Sequence, residues 1–269
     1  MVLRGSDIVG RCIGNLTDAI FVRLIPNVWL AFKFSSINVV ETVLGEKFAF
    51  TISSIKSYRR VKSLRTKEPL MLQFIQRTGS NNRCFIDVGA NIGLFSVIAS
   101  RFFRYVIAVE PNPLNTTELF LNLRPFENAN LMMTSVSATE CITELYLLGN
   151  TIGESMANIE TPTQYLKQKG FKKVLTGSAD WDHFGKIYPK DTEFVIKIDV
   201  DGIEHILFDE LMKSALLARL RGLAIEVNEH NIFTKKLVRQ EMARLGMIEL
   251  FEDTPRVDSE SLNLYFLKR

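Results

Sequence analysis

One stretch decides the fold of this chain: CFIDVGANIG, residues 84–93. Its first five residues form a short apolar run with an acid near its end, which predicts a buried β-strand. Gly89 and Gly93 carry no Cβ, so the backbone can turn sharply there and let a ligand approach closely. Residues 92–103 are apolar almost all round and predict a helix packed tightly against a sheet. A glycine turn between a strand and a helix leaves free N–H groups of the helix N-terminus facing a ligand.

Strands and helices alternate regularly after this turn. Strands are predicted at residues 105–110, 130–136, 142–148, 193–200, 222–227, 247–252 and 262–267, with helices near 203–211 and 233–245. Asn112 and Pro113 open a further helix, whose apolar positions are Thr116, Leu119, Phe120 and Leu123. This alternation predicts an α/β fold, a doubly wound and mostly parallel seven-stranded sheet with helices on both faces. The last two strands are too close in sequence for a parallel crossover, so one of them should run antiparallel.

Residues 1–60 lack this alternation, and we treat them as an N-terminal extension to a domain at residues 61–269. Within the extension, residues 47–53 alternate like a strand. Thr66 is predicted to cap a helix that runs to Arg77. Residues 150–190 are irregular and predict loops with one short helix.

Composition is that of a globular protein with a sizeable core, because 46% of the residues are apolar and 23% are charged. The net charge is only +3 and the basic residues are spread along the chain, which argues against a nucleic-acid partner. Three scattered cysteines predict reduced thiols in a cytoplasmic protein. Residues 19–34 are apolar but are interrupted by Arg23, Pro26 and Lys33, which favours a packing or homodimerisation segment over a spanning helix. The alternative for this segment is peripheral contact with a membrane surface.

Two carboxylates indicate which ligand the glycine turn accepts. Glu110 ends the second strand, where a carboxylate can accept both hydrogen bonds of a ribose diol. Asp87, one strand over, can meet the amino end of the ligand directly or through water. A dinucleotide turn would read G-x-G-x-x-G, but Asn91 stands here where a pyrophosphate would approach most closely. A ligand with one ribose, no phosphate and an α-amino group fits this pattern, which describes S-adenosylmethionine.

Several motifs resemble those of the FkbM-type methyltransferases: RTKEP (65–69), DVGANIG (87–93), VEPNP (109–113), KIDVDGIE (197–204) and IEV (225–227). The resemblance implies a class I methyltransferase (Rossmann-like) fold with S-adenosylmethionine as cofactor. It also implies O-methylation of a hydroxyl on a small-molecule or glycan acceptor, such as a sugar or a glycosylated metabolite. The extension could then cover the acceptor side. The chain departs from the family at Asp201, Ile203 and Asn228, where Glu, Ala and His are usual, and this leaves the acceptor undefined.

The expected site residues follow from the turn, the second strand and these motifs. Cofactor-binding residues are expected to be Asp87, Gly89, Ala90, Asn91, Gly93, Glu110, Pro111, Asn112, Ser137 and Asp199. The resemblance places Asp199, Asp201 and Glu204 near the methyl group. An alcohol is a poor nucleophile, so we expect a general base, with Asp201 as the first candidate and His205 as the next. The alternative role for Asp201 is capping the following helix, and no metal is predicted.

Two other functions remain open at the level of sequence. A nicotinamide-dependent Rossmann oxidoreductase would need a second catalytic domain and a phosphate-tolerant glycine pattern. A catalytically degenerate scaffold would still bind the cofactor, although the intact Asp87, Glu110 and Asp199 argue against it. Binding of S-adenosylhomocysteine (SAH) rather than NADH would distinguish a methyltransferase from the oxidoreductase. Turnover of labelled methyl groups would distinguish an active methyltransferase from the scaffold.

Overall fold

The computed structural model describes residues 36–147, 152–153, 157–159, 167, 170–200, 202–228, 235–252 and 261–268. The segment 19–34 and the residues Asp201 and Phe233 lie outside these ranges. The strands are β1 (Ile37–Val43), β2 (Glu46–Ile52), β3 (Ser80–Val88), β4 (Phe103–Val109), β5 (Ala129–Met132), β6 (Thr134–Val136), β7 (Cys141–Leu147), β8 (Ala157–Ile159), β9 (Lys172–Ala179), β10 (Glu193–Ile198), β11 (Leu220–Asn228), β12 (Met247–Glu252) and β13 (Ser261–Lys268). The α-helices are α1 (Ile55–Lys67), α2 (Pro69–Thr78), α3 (Leu94–Ala99), α4 (Pro113–Leu123), α5 (Trp181–Ile187), α6 (Glu204–Lys213) and α7 (Lys235–Arg244).

The main sheet has seven strands in the order β12-β13-β11-β10-β3-β4-β5. Strands β3, β4, β5, β10 and β11 run parallel, whereas β13 pairs antiparallel with both β11 and β12. The predicted doubly wound sheet with one antiparallel strand is therefore confirmed. The strand order reverses between β3 and β10, which makes the carboxyl ends of these two strands the switch point where such sheets bind ligands.

Two smaller sheets flank the main one: the hairpin β1–β2 and a four-stranded sheet in the order β6-β9-β7-β8. The single strand predicted at 130–136 is wrong, because β5 pairs in the main sheet and β6 pairs in the smaller one. Met133, between them, is 69% exposed, so the chain leaves the main sheet at that residue. The predicted short helix after residue 150 is α5, but β9 was not predicted.

A proline sets the boundary between the two helices that precede the glycine turn. Thr66 lies in the last turn of α1, so its predicted capping role is wrong, and α2 begins at Pro69. The residue before a proline is pushed out of the helical region, and a proline at the first helical position loses no hydrogen bond. Glu68 accordingly has φ −129° and separates the two helices. The helix predicted at 92–103 is only α3, because β4 already begins at Phe103.

Two hydrophobic clusters cover the two faces of the main sheet. One joins Phe48, Phe50 and Ile52 of the hairpin to Phe74 and Phe85. The described part of the extension therefore packs into the same core as the sheet, and α1 runs across the predicted boundary between residues 60 and 61. The other cluster includes Trp181, Ile196 and Leu207. Among the described residues, no helix is long and apolar enough to cross a membrane.

Candidate functional site

The glycine turn is held against the end of β4. The N–H groups of Gly89 and Ala90 both donate to the carbonyl of Val109 at 3.0 Å, and Gly93 N–H donates to the carbonyl of Ala90 at 2.8 Å. Gly89, Asn91 and Gly93 have φ values of 80°, 52° and 84°, which is the left-handed region. The turn therefore lies at the carboxyl edge of the sheet, and the N–H groups of Gly89, Ala90 and Gly93 are used within the protein. The free N–H groups that the sequence analysis expects to face a ligand stay a prediction.

The two glycines are also required by the protein's own packing. A Cβ on Gly89 would lie 2.0 Å from the carbonyl oxygen of Asp199, and one on Gly93 would lie 2.4 Å from Cδ1 of Leu119. The sequence analysis explained both glycines by ligand approach. The structure adds that Gly89 lets the ends of β3 and β10 meet and that Gly93 makes room for α4.

Glu110 is buried beside this turn, with 5% of its surface exposed. One carboxylate oxygen accepts from Asn91 N–H at 2.8 Å, and the other accepts from Asn112 N–H at 2.9 Å. Burial raises the pKa of Glu110 to about 7, while these N–H groups and the side chain of Asn115 pull it down. The structure thus brings Glu110 to the glycine turn, at the same edge as Asp87.

Lys197 is the functional residue that the sequence analysis missed. In the register of the main sheet it lies directly opposite Asp87, and its ammonium is 3.0 Å from Asp87 Oδ1 and 3.4 Å from Asp199 Oδ2. Burial alone would lower the pKa of Lys197, but the two carboxylates outweigh it and hold the pKa above its ordinary value. Its signal in the sequence is a lysine within the apolar run that follows Glu193 in the strand EFVIKI, Glu193–Ile198.

Asp87 is placed differently from what the sequence analysis expected. Its side chain is fully buried, and Oδ2 accepts from the hydroxyl of Ser96 at 2.6 Å while Oδ1 faces Lys197. Asp87 therefore connects β3 to α3 through Ser96 and to β10 through Lys197. Asp199 has 46% of its side chain exposed and is the member of this ion-pair group that solvent or a ligand can reach.

More carboxylates meet at the start of α6. Glu204 Oε1 accepts from Gly202 N–H at 3.2 Å. Burial raises the pKa of Glu204 to about 8, the N–H groups of Glu204 and Gly202 pull it down, and the charges of Glu226 and Asp199 raise it further. His205 follows on α6 and is exposed. Asp201 is outside the described residues, so its role as a base or a cap stays a prediction.

The remaining predicted residues lie at two places. Ala90 is buried in the turn, Pro111 is half-buried, and Asn112 caps α4 by accepting from Leu114 N–H at 3.0 Å. Ser137 follows β6, where its N–H donates to the carbonyl of Ala179 at 3.1 Å and its hydroxyl donates to the carbonyl of Thr139 at 2.7 Å. It lines a cavity of about 130 Å³ with Ala138, Asp180, Trp181, Asp182, Glu210, Lys213 and Ser214. Its part in cofactor binding stays a prediction.

Comparison with known proteins gives distant structural likeness only. No family model and no curated protein matches the chain. An rRNA methylase from Streptococcus thermophilus is 11% identical, with 76% of this chain and 98% of that chain covered and a TM-score of 0.44. A Streptococcus mutans protein solved in complex with SAH is 12% identical, with 76% and 99% covered and a TM-score of 0.46. The N-methyltransferase NodS from Bradyrhizobium japonicum is 9% identical, with 77% and 97% covered and a TM-score of 0.45. At this level of similarity no functional role carries over, so function has to be inferred from the site itself.

Proposed function

We propose that this chain is an S-adenosylmethionine-dependent methyltransferase that O-methylates a hydroxyl of a sugar, a glycan or a glycosylated metabolite. The observation that carries the proposal is the concentration of carboxylates around the glycine turn and the neighbouring strand ends. They are Asp87, Glu110, Asp199, Glu204 and Glu226. The ammonium of Lys197 lies among them and forms ion pairs with Asp87 and Asp199.

Such an edge favours a ligand that brings positive charge and hydrogen-bond donors. S-adenosylmethionine has a sulfonium, an α-ammonium and a ribose diol, and each of these is stabilised by a carboxylate. A nicotinamide dinucleotide brings a pyrophosphate instead, and its negative charges would be repelled by the exposed Asp199 and by Glu110 when it is ionised. The charge of the edge therefore supports the methyl donor over the dinucleotide.

The chain's own residues would bind and align the cofactor. Glu110 uses one lone pair of each oxygen for a backbone N–H and a third for the Asn115 side chain, so the remaining lone pair can accept from a ribose hydroxyl. Asp199, which is exposed, can accept from the α-ammonium, and Lys197 holds its carboxylate in place. When bound, S-adenosylmethionine would supply an electrophilic methyl group on a positively charged sulfur, which leaves as a neutral thioether. Alignment can then provide much of the acceleration, which suits a site built on fixed strand ends.

The acceptor class comes from the resemblance to the FkbM-type methyltransferases. A hydroxyl acceptor needs a group that takes its proton, and Asp201 and His205 are the candidates for this role. Asp201, two residues after the exposed Asp199 in sequence, stays the first choice.

Changing Glu110→Gln should weaken SAH binding and flatten its pH dependence. Either orientation of the amide would point its NH₂ at a backbone N–H, so we expect an affinity loss of roughly tenfold or more. In the unchanged chain, Glu110 ionises with a pKa of about 7, so SAH affinity should rise as the pH is raised from about 6 to 8. Calorimetry across this range measures both effects. Glu241→Gln, at a partly exposed carboxylate of α7, is the matched control and should bind as the unchanged chain does.

The reaction itself is tested by incubating the chain with methyl-labelled S-adenosylmethionine and fractions of glycans and small metabolites. The proposal expects label in a glycan or glycoside fraction, at an alkali-stable ether. Label in a protein or RNA fraction would contradict the acceptor class. NADH binding without SAH binding would indicate an oxidoreductase, and SAH binding without turnover in any fraction would indicate a scaffold.

A further inference from the structure

Besides Thr116, Leu119 and Leu123, the buried residues of α4 include three larger polar side chains: Asn115, Glu118 and Asn122. Each has 2% or less of its surface exposed. Their spacing places them on one side of the helix, where a helix packed in a core normally has apolar residues. Buried polar groups are stable only when they are hydrogen-bonded, so their partners show what this face does.

Asn122 joins the extension to the glycine turn. Its Oδ1 accepts from the N–H of Thr51 on β2 at 2.6 Å, and its Nδ2 donates to the carbonyl of Ile92 at 2.8 Å. Ile92 lies inside the turn, between Asn91 and Gly93. One amide therefore connects the hairpin to the segment that we propose binds the cofactor.

Asn115 makes a second connection of the same kind. Its side chain hydrogen-bonds to the carboxylate of Glu110, and its Oδ1 accepts from Gly153 N–H at 2.8 Å. The carbonyl of Gly153 in turn accepts from Nε of Arg60 on α1 at 2.7 Å. Glu110 is thus linked through Asn115 and Gly153 to the helix that follows the hairpin.

We infer that residues 36–60 of the N-terminal extension are part of the cofactor-binding apparatus, and that Asn115 and Asn122 are positioning residues that hold Glu110 and the glycine turn against them. This rests on the proposed function, in which Glu110 and the turn bind S-adenosylmethionine. An amide suits both positions because it accepts from one N–H and donates to one oxygen at the same time, which a carboxylate does not do. Coupling of this kind is reciprocal, so cofactor binding should stabilise the hairpin as much as the hairpin favours cofactor binding.

Glu118 provides the matched control, because it lies on the same helix face and binds the same extension. In the described part of the chain its hydrogen bonds go to Ser53, where Oε1 accepts from the N–H and from the hydroxyl at 2.5 Å each. Weakening this contact loosens the extension without changing a bond to the turn or to Glu110.

The test is SAH calorimetry on the full chain and on the variants Asn122→Asp, Asn115→Asp and Glu118→Gln. Each Asp variant keeps an oxygen that can accept from the N–H of Thr51 or Gly153 but loses the Nδ2 donor. The new carboxylate faces the carbonyl of Ile92 in Asn122→Asp and the carboxylate of Glu110 in Asn115→Asp. We expect SAH binding to weaken roughly tenfold or more in both. It should weaken less in Glu118→Gln, because the glutamine keeps an oxygen that can accept from Ser53 and no bond to the turn or to Glu110 is changed. Binding within about twofold in Asn122→Asp would overturn the inference.

Amide hydrogen exchange separates this inference from the proposed function. SAH should slow exchange at residues 46–54 of the unchanged chain, with Thr51 as the direct reporter, and this slowing should disappear in Asn122→Asp. No change at 46–54 on binding SAH would also overturn the inference. If the unchanged chain binds no SAH, the proposed function fails. The positioning role is then judged on ligand-free exchange at residues 89–93, where faster exchange in Asn122→Asp than in Glu118→Gln supports it and equal exchange overturns it.

Discussion

Replacing Lys197 with methionine should lower the free energy of unfolding by about 3–5 kcal/mol, because it leaves the buried carboxylate of Asp87 without its cation. Asp87 is fully buried and Lys197 is 2% exposed, so water can replace neither partner. Methionine fills a similar length of apolar space, which keeps the loss of packing small. Urea denaturation of the full chain measures the effect.

The double variant Lys197→Met with Asp87→Asn distinguishes an unpaired charge from a packing defect. An asparagine is neutral and can still accept from Ser96, so the double variant should be more stable than Lys197→Met alone by about 1–3 kcal/mol. A single variant within about 1 kcal/mol of the unchanged chain would show that the ion pair is not needed to hold the ends of β3 and β10.

Gly89→Ala should abolish SAH binding and destabilise the fold. Its φ of 80° costs an L-residue about 1–2 kcal/mol, and the added methyl would overlap the Asp199 carbonyl oxygen at 2.0 Å. Overpacking adds a further cost of about 1–3 kcal/mol and pushes the exposed carboxylate of Asp199 away from the turn. Thermal unfolding and SAH calorimetry on the same samples measure both consequences.

Gly45→Ala is the control for backbone strain alone. Gly45 has a φ of 84° in the β1–β2 turn, and a Cβ there would meet no atom within 4 Å. It should therefore lose only the conformational part, about 1–2 kcal/mol, and bind SAH normally. If Gly89→Ala is no worse than Gly45→Ala in either measurement, the contact between the turn and Asp199 does not shape the site.

The features that sequence predicts well are those set by neighbouring residues. The apolar run of β3 and the glycines after it are adjacent in the chain, and the acid that follows β4 marks the end of the next strand, so the turn and Glu110 are visible without a structure. The antiparallel strand follows from the short connection between β12 and β13. Local errors arose where two signals competed, as at Thr66, where the following Pro69 rather than the threonine decides the helix start.

The features that sequence misses are pairings across the fold. Asp87 and Lys197 are far apart in the chain and meet only because β3 and β10 are neighbours. Helix α4 shows the same limit, since spacing predicts that Phe120 faces inward, whereas it is 58% exposed. Thr116, Leu119 and Leu123 are buried, in line with the spacing. Asn115, Glu118 and Asn122 are buried as well, and they resemble a solvated face until their partners elsewhere in the chain are known.

A crystal structure of the full chain with SAH tests the central claim most directly. We expect the nucleoside to lie over the carboxyl ends of β3 and β4, with a ribose hydroxyl within hydrogen-bonding distance of the Glu110 carboxylate and the α-ammonium facing Asp199. SAH bound elsewhere, or a ribose whose hydroxyls make no contact with Glu110, would contradict it.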